Sequence, residues 1–315
     1  MKTLYIIGNG FDLAHGLCTC YKAFHEWLDD HKEKYGKAYF FIDSIDGLTN
    51  DIELWSDFEK ALGEIDAKEL FKNIVEECKE TQKKDDWVAQ SDSVYAWIEY
   101  FLKDYYQELL NAFSEWARDI PVEEDEIEEI KYPYLMNDKE DNFFTFNYTP
   151  TLEKIYHIPT EHIKHIHGDH TGKTEIVVGH ATDYSDVREE LNVIDDDQLP
   201  TDVGDSVDKM IGMLNMSQKD TGRIIAENGD YFKGLKKLGI ERVVVIGHSY
   251  SEVDYPYFAK IKNSCPGIQW EMYWLTNGDY DRLGAYESNL GIKTIKTKVI
   301  GDERCKVCRK INHWV

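Results

Sequence analysis

Apolar positions in this chain follow two periods, and the periods change place along its length. Thr3 to Ile7 is a short β-rich run that stops at Gly8, which predicts a buried strand. Phe24, Trp27 and Leu28 recur at helical spacing and predict a helix from about Tyr21 to Lys34. From about Asp51 to Ala117 the helical period persists. Trp55, Phe58, Leu62 and Ile65 form one series, and Val94, Trp97, Phe101, Tyr105 and Leu109 another. No period-two alternation interrupts this stretch, so it reads as a helical insertion or subdomain.

Strand signals return after an acidic run from Glu123 to Glu129, itself expected to be a solvated linker or helix face. The candidates are Asn142–Phe146, Ile163–Ile166, Glu175–Val178, Arg242–Ile246, Gln269–Leu275 and Lys293–Val299. Helical patterns over about Thr221–Leu238 and Val253–Asn263 separate several of them. Strands alternating with helices predict an α/β fold with a parallel sheet covered on both faces. The expected domains are residues 1–34 with 141–315, forming the α/β part, and 35–140, forming the helical insertion. Residues 183–220 carry Asp195-Asp196-Asp197 and Pro200 and read as a loop or lid.

Charge narrows the ligands. The 315 residues include 36 basic and 60 acidic side chains, for a net charge of −24. Such a surface does not suit bare DNA, RNA or an anionic membrane, because phosphate polymers are held by Lys and Arg. A small anion held by backbone N–H groups stays compatible. The apolar run at the N-terminus is too short for a secretion signal, and no stretch approaches a membrane span. The chain is therefore expected to be cytoplasmic, with Cys18, Cys20, Cys78, Cys265, Cys305 and Cys308 reduced.

Leu4-Tyr5-Ile6-Ile7-Gly8-Asn9-Gly10 runs a predicted strand into a tight turn, with Gly16 following. Glycines there let amide N–H groups approach a pyrophosphate, and the same turn also serves a strand–helix connection with no ligand. Leu13 stands where a dinucleotide fingerprint needs its third glycine, and no Gly-Lys-Ser/Thr follows. Asp12 reads either as a helix N-cap or as a ribose or base contact.

Three more predicted strands stop at small or hydrogen-bonding residues: Phe143 to Thr149, His165-Ile166-His167-Gly168, and Val243 to Ser251. In a parallel sheet all three stops share an edge with the Gly8 loop. IIGNGFDLAHGL, the Trp55–Glu59 region, FTFNYT, HIHG and GHSYSEVDYPYF resemble the AbiH family of bacterial abortive-infection proteins, which protect cells against phage. The order Gly8-x-Gly10, Thr145-x-Asn147, His167-Gly168 and Gly247-x-Ser249 also resembles, more remotely, the loops of sirtuin-like NAD-binding domains.

The resemblance implies a Rossmann-like nucleotide-binding domain, NAD as ligand or substrate, and a phage-derived trigger. It implies that Gly8, Gly10 and Gly16 shape the loop around the NAD pyrophosphate and that Asn9, Phe11, Asp12, Thr145 and Gly168 also belong to the cofactor site. Asn147 would orient the nicotinamide ribose or the attacking water, and His167 would act as base on a ribose hydroxyl. Gly247, His248 and Ser249 would hold the adenosine side. Asp254 either N-caps the following helix or bonds to ligand or loops.

The sirtuin motif carries an Asp two residues after its Asn, where this chain has Thr149, and no zinc ribbon lies between His167 and Gly247. Lysine deacetylation is thus disfavoured, and NAD hydrolysis fits better. That reaction builds positive charge on the sugar and needs water positioned and a proton removed, for which Asn and His are suited. A nucleotide-binding sensor without turnover is the alternative, and a nucleic-acid effector is disfavoured by charge. No metal is expected: His165 and His167 would share a strand face, but two further placed ligands are not evident. Cys305-x-x-Cys308 with His313 reads as reduced thiols in preference to half a zinc site, and Glu59 as a surface carboxylate. A homo-oligomer is expected only because closed dimers are common.

Overall fold

A computed structural model describes residues 1–39, 41–42, 58–81, 87–127, 129–136, 140–188, 191 and 204–299. Trp55, the Asp195–Asp197 triplet, Pro200, Cys305, Cys308 and His313 lie outside the described residues. The chain forms two compact units, each assembled from separate segments. One unit contains residues 1–24, 114–177 and 220–315, and the other contains 25–113 and 178–219.

The first unit holds a six-stranded sheet of β1 (Thr3–Ile7), β2 (Asn142–Thr145), β3 (Ile163–His165), β4 (Arg242–Ile246), β5 (Gln269–Trp274) and β6 (Thr294–Lys298). Its order is β3-β2-β1-β4-β5-β6, with every pairing parallel. This is the doubly wound, Rossmann-like arrangement, and the order reverses between β1 and β4. The α/β reading with a parallel sheet holds.

Alternation along the strands builds a core on each face. Leu4, Ile6, Phe144, Val243, Val245, Trp270 and Met272 face one core. There they meet Ile224 of α8 (Thr221–Glu227), Phe232 of α9 (Gly229–Leu238), Phe258 of α10 (Tyr255–Ser264) and Leu283 of α11 (Asn277–Leu290). Tyr5, Ile7, Phe143, Val244 and Ile246 face the other, against Phe11 of α1 (Asn9–Ala14) and Leu152 of α6 (Thr151–Lys154). Burying each such side chain contributes roughly 1.5–3 kcal/mol. Both ends of α11 are written in the sequence. Thr276 and Asp279 form a reciprocal capping box, and Gly291 closes the helix with φ 61°.

Two expectations fail locally. Glu175–Val178 is not a strand. It runs beside the β3 loop, with the Val177 amide donating to the His167 carbonyl at 2.9 Å. The expected loop at 183–220 contains the helix α7 (Gly204–Met216), whose Val207, Met210, Ile211 and Leu214 are buried at helical spacing. The aspartates and proline on its N-terminal side mask that period.

The second unit is helical. It contains α3 (Phe58–Gly63), α4 (Ala67–Thr81), α7, and much of α5 (Trp87–Asp119), while α2 (Tyr21–Asp30) begins in the first unit and ends here. Tyr184 ties its segments: its hydroxyl donates to the Leu62 carbonyl and accepts from the Ile65 amide, and its own amide donates to Asn215. The Glu59 carboxylate pairs with Lys219, whose side chain is fully buried, and also accepts from the Gly179 amide at 3.3 Å. Glu59 is therefore not an ordinary surface carboxylate. Among the described residues no helix is long and apolar enough to cross a membrane.

Candidate functional site

The C-terminal ends of β1, β2, β3 and β4 bring the motif residues to one edge of the sheet. Where the order reverses, the β1 and β4 loops touch. The Gly8 amide donates to the Ile246 carbonyl at 3.0 Å, the Gly10 amide to the Gly247 carbonyl at 2.8 Å, and the Phe11 amide to the Gly8 carbonyl at 2.9 Å. A Cβ on Gly8 would lie 2.6 Å from the Gly247 oxygen, and one on Gly10 2.9 Å from the Gly247 Cα. Gly247 has φ +68°, and a Cβ there would run into the Phe11 nitrogen. The glycines thus let two main chains meet, and three of the loop amides offered by sequence to a pyrophosphate already donate to protein carbonyls.

Other members of the loop also have work within the fold. Gly16, with φ +80°, turns the chain out of α1. The exposed Asn9 donates its carboxamide to the Thr19 carbonyl at 2.9 Å. Phe11 is a core residue, with its ring stacked 5.4 Å from that of Tyr132.

Asp12 is 1 % exposed and lies inside α1, so it is not an N-cap. Its Oδ2 accepts the Thr149 hydroxyl, and Thr149 and Thr151 share a further hydrogen bond of 3.1 Å. Its Oδ1 is buried without a hydrogen-bond partner, and so are both polar atoms of the Asn147 carboxamide. Asn147 nonetheless lies close enough to favour the charged carboxylate. Burial is the largest influence and pushes the Asp12 carboxyl from 3.8 up to about 6, while Thr149, Thr151, Asn147 and the charge on His165 pull it down. Thr145 fixes the backbone beneath, its hydroxyl accepting the Asn147 amide at 3.0 Å.

His165 sits beside this group with both ring nitrogens facing acceptors. These are the Asn147 carbonyl at 2.8 Å and Glu153 Oε1 at 2.9 Å. A ring that donates from both nitrogens is an imidazolium. Burial opposes that charge, but the Glu153 carboxylate and the Asn147 carbonyl outweigh it and raise the His165 pKa.

A second cluster joins the ends of β3 and β4. Asp254 occupies the N-cap position of α10 but makes no capping hydrogen bond with its side chain. Its carboxylate instead stands 3.3 Å from His248 Nε2 and 3.8 Å from His167 Nε2. His248 Nδ1 accepts the Tyr250 amide at 2.8 Å, so the ring proton sits on Nε2 and faces the carboxylate. All three side chains are buried, and Phe146 lies against both rings, 5.1 Å from His167 and 4.8 Å from His248.

His165 and His167 therefore occupy different surroundings, because β3 ends between them. Gly168, with φ +87°, packs under the Glu175 carbonyl, and Ser249 is exposed with its carbonyl accepting from Arg282 at 2.7 Å. Among the described residues no three His, Cys, Asp or Glu side chains are arranged to hold a metal ion. Sequence reasoning missed Thr149 as the partner of Asp12 and Glu153 as the partner of His165. Glu153 sits on a four-residue helix with no period to reveal its direction.

No curated protein matches the chain. The profile of the family described as "Bacteriophage abortive infection AbiH" matches residues 4–274, which include every strand end of this site, and the chain belongs to that family.

Proposed function

We propose that the strand-end site binds NAD and hydrolyses its nicotinamide–ribose bond, as the effector step of a phage-defence protein. One observation carries the reading. The Asp12 carboxylate and the Asn147 carboxamide are buried at the mouths of β1 and β2 with hydrogen-bonding atoms left open. An open buried polar atom costs about 1–3 kcal/mol, which a bound polar group removes.

The residues present fit the needs of glycosidic cleavage. Asn147 offers both a donor and an acceptor to a water or a ribose hydroxyl. His167 beside the Asp254 carboxylate is suited to take a proton from a ribose hydroxyl, with the carboxylate stabilising the ring as it becomes charged. His248 fixes the other oxygen of Asp254. The buried setting strengthens each of these interactions.

Purified full-length chain incubated with NAD should release nicotinamide and ADP-ribose. Asn147→Ala and His167→Ala should each abolish release while circular dichroism stays unchanged. Full activity in both variants would refute the assignment. Binding by calorimetry with NAD recovered intact would instead favour a sensor that holds the nucleotide without turnover, a reading that Thr149 in place of the motif's Asp supports.

A further inference from the structure

We propose that Asp12 is the catalytic base that takes the proton from the attacking water, with Asn147 holding that water against it. The inference rests on the NAD reading above and adds a residue whose sequence role was a cap or a ligand contact.

The two oxygens of Asp12 are unequal. Oδ2 is fixed by the Thr149 hydroxyl, itself bonded to Thr151, while Oδ1 is buried and open. Neither polar atom of the Asn147 carboxamide has a fixed hydrogen-bond partner, although the group lies close enough to steady the Asp12 charge. A water between them would accept from Asn147 Nδ2 and donate to Asp12 Oδ1, with polarity matched at each contact.

The neighbours of Asp12 suit a proton acceptor. Thr149 from the loop before α6, Thr151 at the start of α6 and Asn147 from the β2 end steady the charged form, and the His165 imidazolium adds a positive charge that Glu153 partly offsets. On another side the Tyr156 hydroxyl also feels the Asp12 charge, and it is bonded to His15 Nε2 at 2.6 Å. Burial holds His15 below the ordinary histidine pKa. A base is most effective when its pKa lies near the working pH, and that of Asp12, about 6, does.

In the step, Asp12 Oδ1 takes a proton from water as the water oxygen bonds to the ribose anomeric carbon. The bond from that carbon to nicotinamide breaks, and its electron pair leaves on the nicotinamide nitrogen. Asp12 then returns the proton to solvent. The products are nicotinamide, ADP-ribose and one proton.

Asp12→Asn keeps the shape and an oxygen for Thr149. It should lower kcat by roughly 10²- to 10⁴-fold, the usual contribution of a positioned base. KM should stay within about threefold, because ground-state binding is untouched. The wild-type pH profile should fall on its acid side through the Asp12 titration near 6. Thr149→Val, which removes a donor to the charged form, should move that limb to higher pH. A wild type that cleaves NAD beside an equally active Asp12→Asn variant, or a limb that Thr149→Val leaves in place, overturns the proposal alone. A wild type that releases no nicotinamide overturns the NAD reading and the proposal with it.

Discussion

The hydroxyl of Thr149 donates to the buried carboxylate of Asp12, across 137 residues of sequence. Thr149 stands where the resembled Asn-x-Asp motif has its acid. An acid nevertheless meets Thr149, delivered by α1 from the end of the central strand. Introducing the motif's own residue should therefore harm this chain. Thr149→Asp sets two buried carboxylates side by side, and like charges so placed cannot both ionise freely. Urea unfolding should show the variant losing stability as pH rises from 5 to 8, and a flat profile would count against the pairing.

Asp12 also shapes the pH dependence of the wild type. Its folded pKa of about 6 lies above its ordinary 3.8, so the folded state binds the proton more tightly than the unfolded state does. The stability this contributes is present below pH 4 and lost as pH rises to about 6. It amounts to about 3 kcal/mol. Asp12→Asn should lack this slope and should be the more stable protein at pH 7, although less active. Burial gives His15 a lowered pKa, and its contribution has the opposite direction, being lost as pH falls through the ordinary histidine range. The comparison of the two proteins across pH 4 to 8 isolates Asp12.

Glycines in the two loops should respond differently to alanine. Gly247→Ala meets both a left-handed backbone and a collision with Phe11, and no flexible side chain is there to give way. It should prevent folding or cost more than about 3 kcal/mol. Gly16→Ala has the same sign of φ but open space around the Cβ, and should cost only about 1–2 kcal/mol. Denaturation midpoints of the two variants test the ordering.

In the helical unit, Glu59→Gln removes a carboxylate paired with the fully buried Lys219 and should cost at most about 3–5 kcal/mol. Lys219→Met leaves Glu59, which retains 20 % side-chain exposure, and should cost less. The double variant Glu59→Leu/Lys219→Met should recover part of the loss in thermal unfolding.

Local pattern made the sheet legible. Thr3–Ile7 and Arg242–Ile246 match their predicted bounds because each is a short run of β-formers, buried and apolar after its first residue, that stops at a glycine. Glu175–Val178 carries the same composition without finding a ladder, since register depends on neighbours and not on the segment itself. Within the site, motif order brought Asn147, His167 and Asp12 to one sheet edge. Their partners were not legible. Asp254 looks like a cap in sequence because it precedes a helix, but two histidines from other strand ends claim its carboxylate. Glu59 looked solvated because the lysine that pairs with it lies 160 positions away on another segment.

β1 is laid between β2 and β4, and Thr3 pairs with Arg242. At the ribosome's pace of about 5–20 residues per second, the first strand waits roughly 10–50 s for that partner to be made. The hydrogen-bonding edge of β1 has no partner on that side for most of synthesis, so slow, late cooperative folding is expected for this topology. The same wait has a benefit. The Gly8–Gly247 contact and the His248–Asp254 pair both need residues beyond 246, so neither can form in a chain released before that point.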